Sequence, residues 1–370
     1  MKKILFLIHD LSHGGAEKVL INLVNNMDRS QFDISVTALF GGGVNEQFLK
    51  PDIHFRAVCP REVPGNSKLM KLLTPKQLHK LCMKEHYDIE VSYLEGPSAR
   101  VVSGCPNPDT KLVSWIHCTM KSERDVSIGF RSFQEAKKCF NKMDGIISVS
   151  QGVRSAFLKQ IPYKGFTKVL YNTNESDKIQ RLSKEGVDVG TFNSNEFSII
   201  GVGKIMPVKG FDRLARIHNR LISNGYPVHT YILGEGAERA KIQAYLKENG
   251  LVDSFTFLGY QTNPYKYVAK CSLFVCASHA EGFSTAATEA LIVGTPVCTV
   301  EVSGMKEMLG ENNEYGIITE NSEEALYEGI KRLLDDPDLL AHYKKQAQIR
   351  EKDFSTEETV RAVEEMLLNL

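Results

Sequence analysis

The 370-residue chain reads as an α/β protein built from two Rossmann-like, doubly wound parallel-sheet domains facing a central cleft. Three observations carry that reading. Short apolar runs alternate with amphipathic helical patterns, as in a parallel sheet covered by helices on both faces. The alternation runs twice, with a polar stretch rich in Asn, Ser and Asp between the two passes. The length also exceeds what a single hydrophobic core usually serves.

In the first pass, apolar runs predict strands over 4–8, 34–39, 89–92, 112–116, 145–149 and 168–171. Helical patterns fall at 16–26, 97–103, 132–141 and 152–159. The second pass predicts strands over 197–202, 229–233, 255–258, 273–277, 296–299 and 316–318. Its helices fall at 211–223, 237–249, 264–269, 284–293 and 323–334. The first domain spans 1–175, a linker 176–195, and the second domain 196–350. The last segment, 351–370, is helical with no strand after it, and is expected to pack back onto the first domain.

A hydrophobic content of 42% and a charged content of 24% place the chain among soluble globular proteins rather than disordered ones. The formal net charge is +0, which gives no case for nucleic acid. Residues 1–175 nevertheless hold 24 basic and 17 acidic residues, against 21 and 28 in the remainder. A basic first half suits an anionic surface. The eight cysteines form no C-x-x-C pair and read as buried free thiols of a reducing compartment. The N-terminal apolar run is short and ends in His9-Asp10, so it reads as a strand, not a signal peptide. No run is long enough to span a bilayer, and the chain is expected to be cytoplasmic, with membrane contact at the surface at most.

The most informative stretch is EGFSTAATEA, from Glu281 to Ala290. It follows an apolar strand run, turns at Gly282-Phe283, and opens a helix through Ser284 and Thr285. A strand, a turn and a helix N-terminus bring backbone N–H groups and a positive dipole end together, a setting suited to a diphosphate. Glu281 lies at the mouth of the turn. Glu289, about two turns into the helix, could accept hydrogen bonds from a ribose diol. The second domain opens with Gly203-Lys204, followed by Lys209-Gly210, in a strand-to-helix loop. Two ammonium groups there would neutralise a diphosphate. Gly234 and Tyr260 follow two further strands and could line the same crevice.

In the first domain the loop His9-Asp10-Leu11-Ser12-His13-Gly14-Gly15 joins the first strand to the first helix, where doubly wound sheets bind ligands. It is not G-x-G-x-x-G, which disfavours a nicotinamide dinucleotide. His117 ends a strand and is a candidate for hydrogen bonding to substrate. His9, His13 and His117 lack the carboxylate spacing of a metal site, so no metal is assigned. Lys68, Lys71, Lys76, Lys80 and Lys84, interleaved with leucines and split by Pro75, could lie on an anionic bilayer.

Taken together, the Gly-Gly-Ala-Glu loop, His117, the Gly203…Lys209-Gly210 loop and the Glu281…Glu289 pair resemble the retaining glycosyltransferases of family four, which have the GT-B fold. The run EGFSTAATEALIVGTPVCTVEVSGMKEMLG looks like that of bacterial capsule, exopolysaccharide and cell-wall glycan transferases. The resemblance implies catalytic roles for His117, Lys204, Lys209 and Glu281. It implies donor contacts from Gly14, Gly15, Gly203, Gly234, Tyr260, Gly282, Phe283, Ser284, Thr285 and Glu289. The donor would be a nucleotide sugar, UDP-linked, with no cofactor and no metal, and the acceptor a growing, lipid-linked glycan. Many such relatives carry Arg where this chain has Lys204, which keeps the charge but not the bidentate fork. A nucleotide-sugar epimerase and a non-catalytic nucleotide-sugar-binding protein are the alternative readings.

Overall fold

A computed structural model describes every residue except 13, 62–64, 66–69, 189–191 and 193–195. His13 and Lys68 therefore lie outside the described residues. The chain divides into two units. Unit 1 comprises Met1–Asn174 with Thr356–Leu370, and unit 2 comprises Glu175–Ser355.

Unit 1 is built on strands β1 (Lys2–Ile8), β2 (Phe32–Phe40), β3 (His54–Cys59), β4 (Ile89–Ser92), β5 (Lys111–Ile116), β6 (Gly145–Ser148) and β7 (Phe166–Val169). Its helices are α1 (Gly15–Asn26), α2 (Pro75–Cys82), α3 (Pro97–Val102), α4 (Glu123–Val126), α5 (Phe133–Phe140) and α6 (Gln151–Gln160). The sheet order is β3-β2-β1-β4-β5-β6-β7, with parallel neighbours throughout. Ile4 to Ile8 have no exposed surface, as expected of a central strand covered on both faces. Trp115, Phe130, Phe140 and Phe157 fill the space under the helices. Side chains of this size contribute about 1.5–3 kcal/mol each when fully buried.

Unit 2 begins with helix α7 (Ser176–Ser183) and repeats the scheme with β8 (Phe197–Val202), β9 (Val228–Leu233), β10 (Phe255–Gly259), β11 (Leu273–Cys276), β12 (Val297–Val300) and β13 (Ile317–Thr319). The helices are α8 (Phe211–Ser223), α9 (Arg239–Glu248), α10 (Tyr265–Val268), α11 (Thr285–Ile292), α12 (Met305–Leu309), α13 (Glu323–Asp335) and α14 (Pro337–Arg350). The order is β10-β9-β8-β11-β12-β13, again parallel. Serine hydroxyls start several helices: Ser132, Ser150, Ser284 and Ser322 each accept a backbone N–H of the first turn.

Several expectations are corrected. The segment 176–195 is not simply a linker. Residues 176–183 form α7, which belongs to unit 2 and buries Ile179 against Tyr265 and Ile292. The chain passes between units at Asn174 and Glu175 and returns at Ser355 and Thr356. The last helix, α15 (Thr356–Leu368), belongs to unit 1. There Lys2 Nζ donates to the Leu367 and Leu368 carbonyls at 2.9 and 3.0 Å, and Glu364 accepts the Asp28 N–H. Pro75 divides the basic stretch as expected: Met70 is helical, residues 71–74 are not, and a new helix starts at Pro75. Thr74 caps it in a capping box with Gln77, and proline at the first position sacrifices no hydrogen bond. Leu78, Cys82 and Met83 then point inward, whereas Lys76, Lys80 and Lys84 are exposed and Lys71 is half-buried. All eight cysteines are free, but Cys118 is exposed and Cys59 and Cys105 are partly so.

Candidate active site

In unit 2 the chain leaves β8 toward β9 on one side and finds β11 on the other. That reversal is the topological switch point, where open α/β sheets bind ligands beyond the strand carboxyl ends. The loops after β8 and β11 meet there because Gly210 allows it. Its φ of +64° is left-handed, and a Cβ on it would overlap the Ala277 carbonyl oxygen. The neighbouring Lys209 then reaches Glu281, with Nζ to Oε1 at 2.6 Å, and Ser278 Oγ donates to the same oxygen at 2.6 Å. Lys209 and Glu281 side chains are 29% and 10% exposed, so the pair is partly shielded from water. Arg213, buried on the first turn of α8, donates to the Ala277 carbonyl and, at 2.9 Å, to Asn321 Oδ1. It fixes the strand end from which the Glu281 turn departs.

On the other flank Gly203 N–H donates to the Leu233 carbonyl at 2.9 Å, and Gly234 N–H to the Gly259 carbonyl at 2.9 Å. The ends of β8, β9 and β10 thus abut, and a Cβ on Gly234 would overlap the Gly203 carbonyl oxygen. Lys204 is exposed in the same loop and is in no ion pair among the described residues. Tyr260, just past β10, is 60% exposed. Behind Glu281, the Phe283 side chain turns inward onto Phe354, with ring centroids 5.9 Å apart, so only its backbone is available to a ligand. Ser284 Oγ accepts the Ala287 N–H and caps α11. Because α11 starts at Thr285, Glu289 sits little more than one turn into it, not two. Glu289 is buried and accepts from the Tyr265 hydroxyl at 3.5 Å.

In unit 1 the switch point lies between β1 and β4. The loop after β1 is held by Asp10, which pairs with His9 Nδ1 at 2.6 Å and accepts the Ser12 N–H at 2.7 Å. The His9 contact, followed by Ser12, holds the Asp10 carboxyl well below the usual carboxylate range. Gly14 and Gly15 follow as the cap and first residue of α1. His117, just past β5, lies on the Tyr93 ring with centroids 4.9 Å apart. Burial pulls its imidazole down to about 3, so it is neutral near pH 7. The ring donates to the Tyr93 main chain, while Nε2 is buried without a hydrogen-bond partner. Nε2 is therefore the nitrogen without hydrogen, a bare acceptor. The His117 N–H donates to the Glu95 carboxylate at 3.0 Å. Burial raises the pKa of Glu95, and the backbone contacts with His117 and Cys118 oppose that shift.

The structure brings Gly203, Lys209, Glu281, Gly282, Phe283, Ser284 and Thr285 together in unit 2, and Gly14, Gly15 and His117 at the strand ends of unit 1. Sequence reasoning missed Ser278, Arg213, Tyr93 and Glu95. Ser278 had a local signal, three residues before Glu281. The others act through neighbouring strands and had none. Among the described residues, His9 and His117 belong to no group able to share a metal ion; the one such group is His79, Glu90 and Cys105.

Two Rossmann-like units, each with its polar loops at a switch point, define the GT-B class. The comparisons agree. Residues 184–350 match the family described as Glycosyl transferases group 1. A relative from Campylobacter jejuni, N-acetylgalactosamine-N,N'-diacetylbacillosaminyl-diphospho-undecaprenol 4-alpha-N-acetylgalactosaminyltransferase, is 29% identical over 96% of this chain and 96% of its own. The lipopolysaccharide core biosynthesis glycosyltransferase LpsD of Rhizobium meliloti is 27% identical over 90% of this chain and 88% of its own. Among solved structures, Anabaena HepE in complex with UDP and glucose aligns over 100% of both chains, with a TM-score of 0.78 and 21% identity. The chain is a glycosyltransferase, and the segment that matches the group 1 model is the one that carries the Lys209–Glu281 pair. The Campylobacter and Rhizobium relatives are bacterial glycan transferases, not epimerases.

Proposed function

We propose that this chain is a retaining, family-four glycosyltransferase that moves a hexose or N-acetylhexosamine from a UDP-sugar to a lipid-linked glycan. The observation that carries the reading is the Lys209–Glu281 pair at the unit 2 switch point, backed by the capped N-terminus of α11. The HepE complex, which holds UDP and glucose, supports a UDP donor. The lipid-linked acceptor named for the Campylobacter relative supports the acceptor class.

Breaking a glycosyl–phosphate bond places negative charge on the departing diphosphate. Lys204, Lys209 and the α11 N-terminus supply the opposing charge without recourse to a metal or other cofactor. Glu281 releases Lys209 to the diphosphate and receives sugar hydroxyls in its place. Gly15 approaches the donor phosphates, Glu289 holds the ribose, and His117 Nε2 accepts a hydroxyl hydrogen of the transferred sugar. With no carboxylate assigned as a covalent nucleophile, the acceptor attacks on the face the diphosphate leaves, and a diphosphate oxygen takes its proton.

The test is UDP release with and without acceptor in wild type, Glu281→Ala, Lys209→Ala and His117→Ala. Equal turnover in all four rejects the assigned roles. Tight UDP-sugar binding without turnover on any glycan favours a binding protein instead.

Contact with the inner face of the plasma membrane is part of the same proposal. No helix among the described residues is long and apolar enough to cross a membrane. Unit 1 nevertheless exposes Leu72 and Leu81 at 75% and 59%, in the same stretch as exposed Lys76, Lys80 and Lys84. Apolar anchors among cations suit an anionic bilayer. Co-sedimentation with anionic but not neutral liposomes, lost on reversing Lys76 and Lys80, supports it; binding indifferent to lipid charge sinks it.

A further inference from the structure

A second cluster of chemistry-bearing side chains lies away from the strand carboxyl ends. Glu90, the second residue of β4, is 2% exposed in the middle of the unit 1 sheet. Both its carboxylate oxygens face a single nitrogen, His79 Nε2 of α2, at 3.0 and 2.9 Å. One N–H cannot satisfy two oxygens well, so a buried carboxylate has more acceptor capacity than His79 fills. The third member is Cys105, on the turn between α3 and β5, whose thiol also contacts Glu90 and Thr110. The three potential ligand atoms, Nε2, Sγ and a carboxylate oxygen, lie within 4.8 Å of one another.

We infer that His79, Glu90 and Cys105 form a zinc-type divalent metal site that pins α2 and the α3–β5 turn to β4. Imidazole, thiolate and carboxylate form an N/S/O donor set suited to Zn²⁺. Bonds of about 2.0–2.3 Å in a tetrahedron set ligand atoms roughly 3.3–3.8 Å apart. To reach that, the His79–Glu90 spacing of 2.9–3.0 Å opens slightly and Cys105 Sγ, within 4.8 Å of both, closes in. The charges also match: one carboxylate and one thiolate balance a dication, with the imidazole neutral. On binding, Zn–N, Zn–S and Zn–O bonds form. The Cys105 thiol proton goes to water, and the hydrogen that Nε2 shares with Glu90 leaves or moves to Nδ1. The fourth position is open to water. The site is structural rather than catalytic, because Glu90 sits near the start of β4 whereas the candidate active-site residues follow the strand ends. It also anchors the helix that displays Lys76 and Lys80.

The test uses the full chain, stripped with a chelator and titrated with Co²⁺ as a spectroscopic probe. The expected result is one equivalent bound with an intense near-ultraviolet thiolate-to-cobalt band that Zn²⁺ displaces. Cys105→Ser removes the band, Cys118→Ser retains it, and His79→Gln weakens cobalt binding at least about tenfold, no less than the loss of an outer-shell partner costs. The wild-type spectrum decides even if a variant folds poorly. Absence of a thiolate band at one equivalent, or a band that survives Cys105→Ser in folded protein, overturns the inference.

Discussion

Glu281→Gln separates a role in chemistry from a role in stability. The substitution keeps the size of the side chain and removes its charge. In the free protein it weakens the 2.6 Å contacts with Lys209 Nζ and Ser278 Oγ. The Lys209 side chain is 29% exposed and that of Glu281 10%, so solvent screens part of the attraction and desolvation offsets more. The net stability of such a pair is about 1 kcal/mol. Unit 2 spans Glu175–Ser355, and in a domain of that size about 1 kcal/mol lowers Tm by roughly 2–4 °C. The proposed mechanism demands far more of the activity. Loss of one preorganised group in the transition state costs about 2.7–4 kcal/mol, or roughly 10²–10³ in kcat. Thermal unfolding and UDP release on the same preparations measure both. Lys209→Ala should cost as much, and the double variant little more than either single one, because paired groups are not additive. A kcat within about fivefold of wild type, set against about 2.7–4 kcal/mol expected, would refute the reasoning even if Tm falls as stated.

Three further outcomes follow from the geometry. Gly210→Ala forces a left-handed residue, costing about 1–2 kcal/mol before the overlap with the Ala277 carbonyl is counted; thermal unfolding should show at least that loss. The same variant should depress UDP release, since the loop presenting Lys209 must move; full activity would argue against the close approach. His117 titrates at about 6.5 in the unfolded chain and is pulled by burial to about 3 in the folded one. The unfolded state therefore binds the extra proton between those values, and stability is lost as pH falls through that window. His117→Gln should remove about 2–3 kcal/mol of the loss between pH 7 and pH 4.5, while His218, lowered to about 4, keeps its own share. An unchanged pH slope would mean that His117 is not buried as a neutral ring.

Much of the scaffold was legible because central parallel strands are buried on both faces and appear as unbroken apolar runs. Ile4–Ile8, Phe197–Val202 and Leu273–Cys276 are such cases. Strand β3 (His54–Cys59) escaped because it lies at the sheet edge, mostly half-exposed, with no apolar run to mark it. Helix α7 was taken for linker because only Ser176 and Ile179 are buried on it. The break at Pro75 was legible because proline is disfavoured inside a helix but suits its first position. The Glu281 turn and the capped helix after it were readable as local chemistry.

The sequence by itself determined the alternation of strand and helix, the glycine and lysine content of the strand-end loops, and the helix starts set by serine. Those properties depend on neighbours within a few residues. Only the tertiary structure decided that Lys209 meets Glu281, 72 residues away, and that Glu95 holds the His117 backbone. Such contacts depend on sheet order, here β8 beside β11 and β4 beside β5. Sheet order is set by how whole elements pack, which no short window of residues encodes.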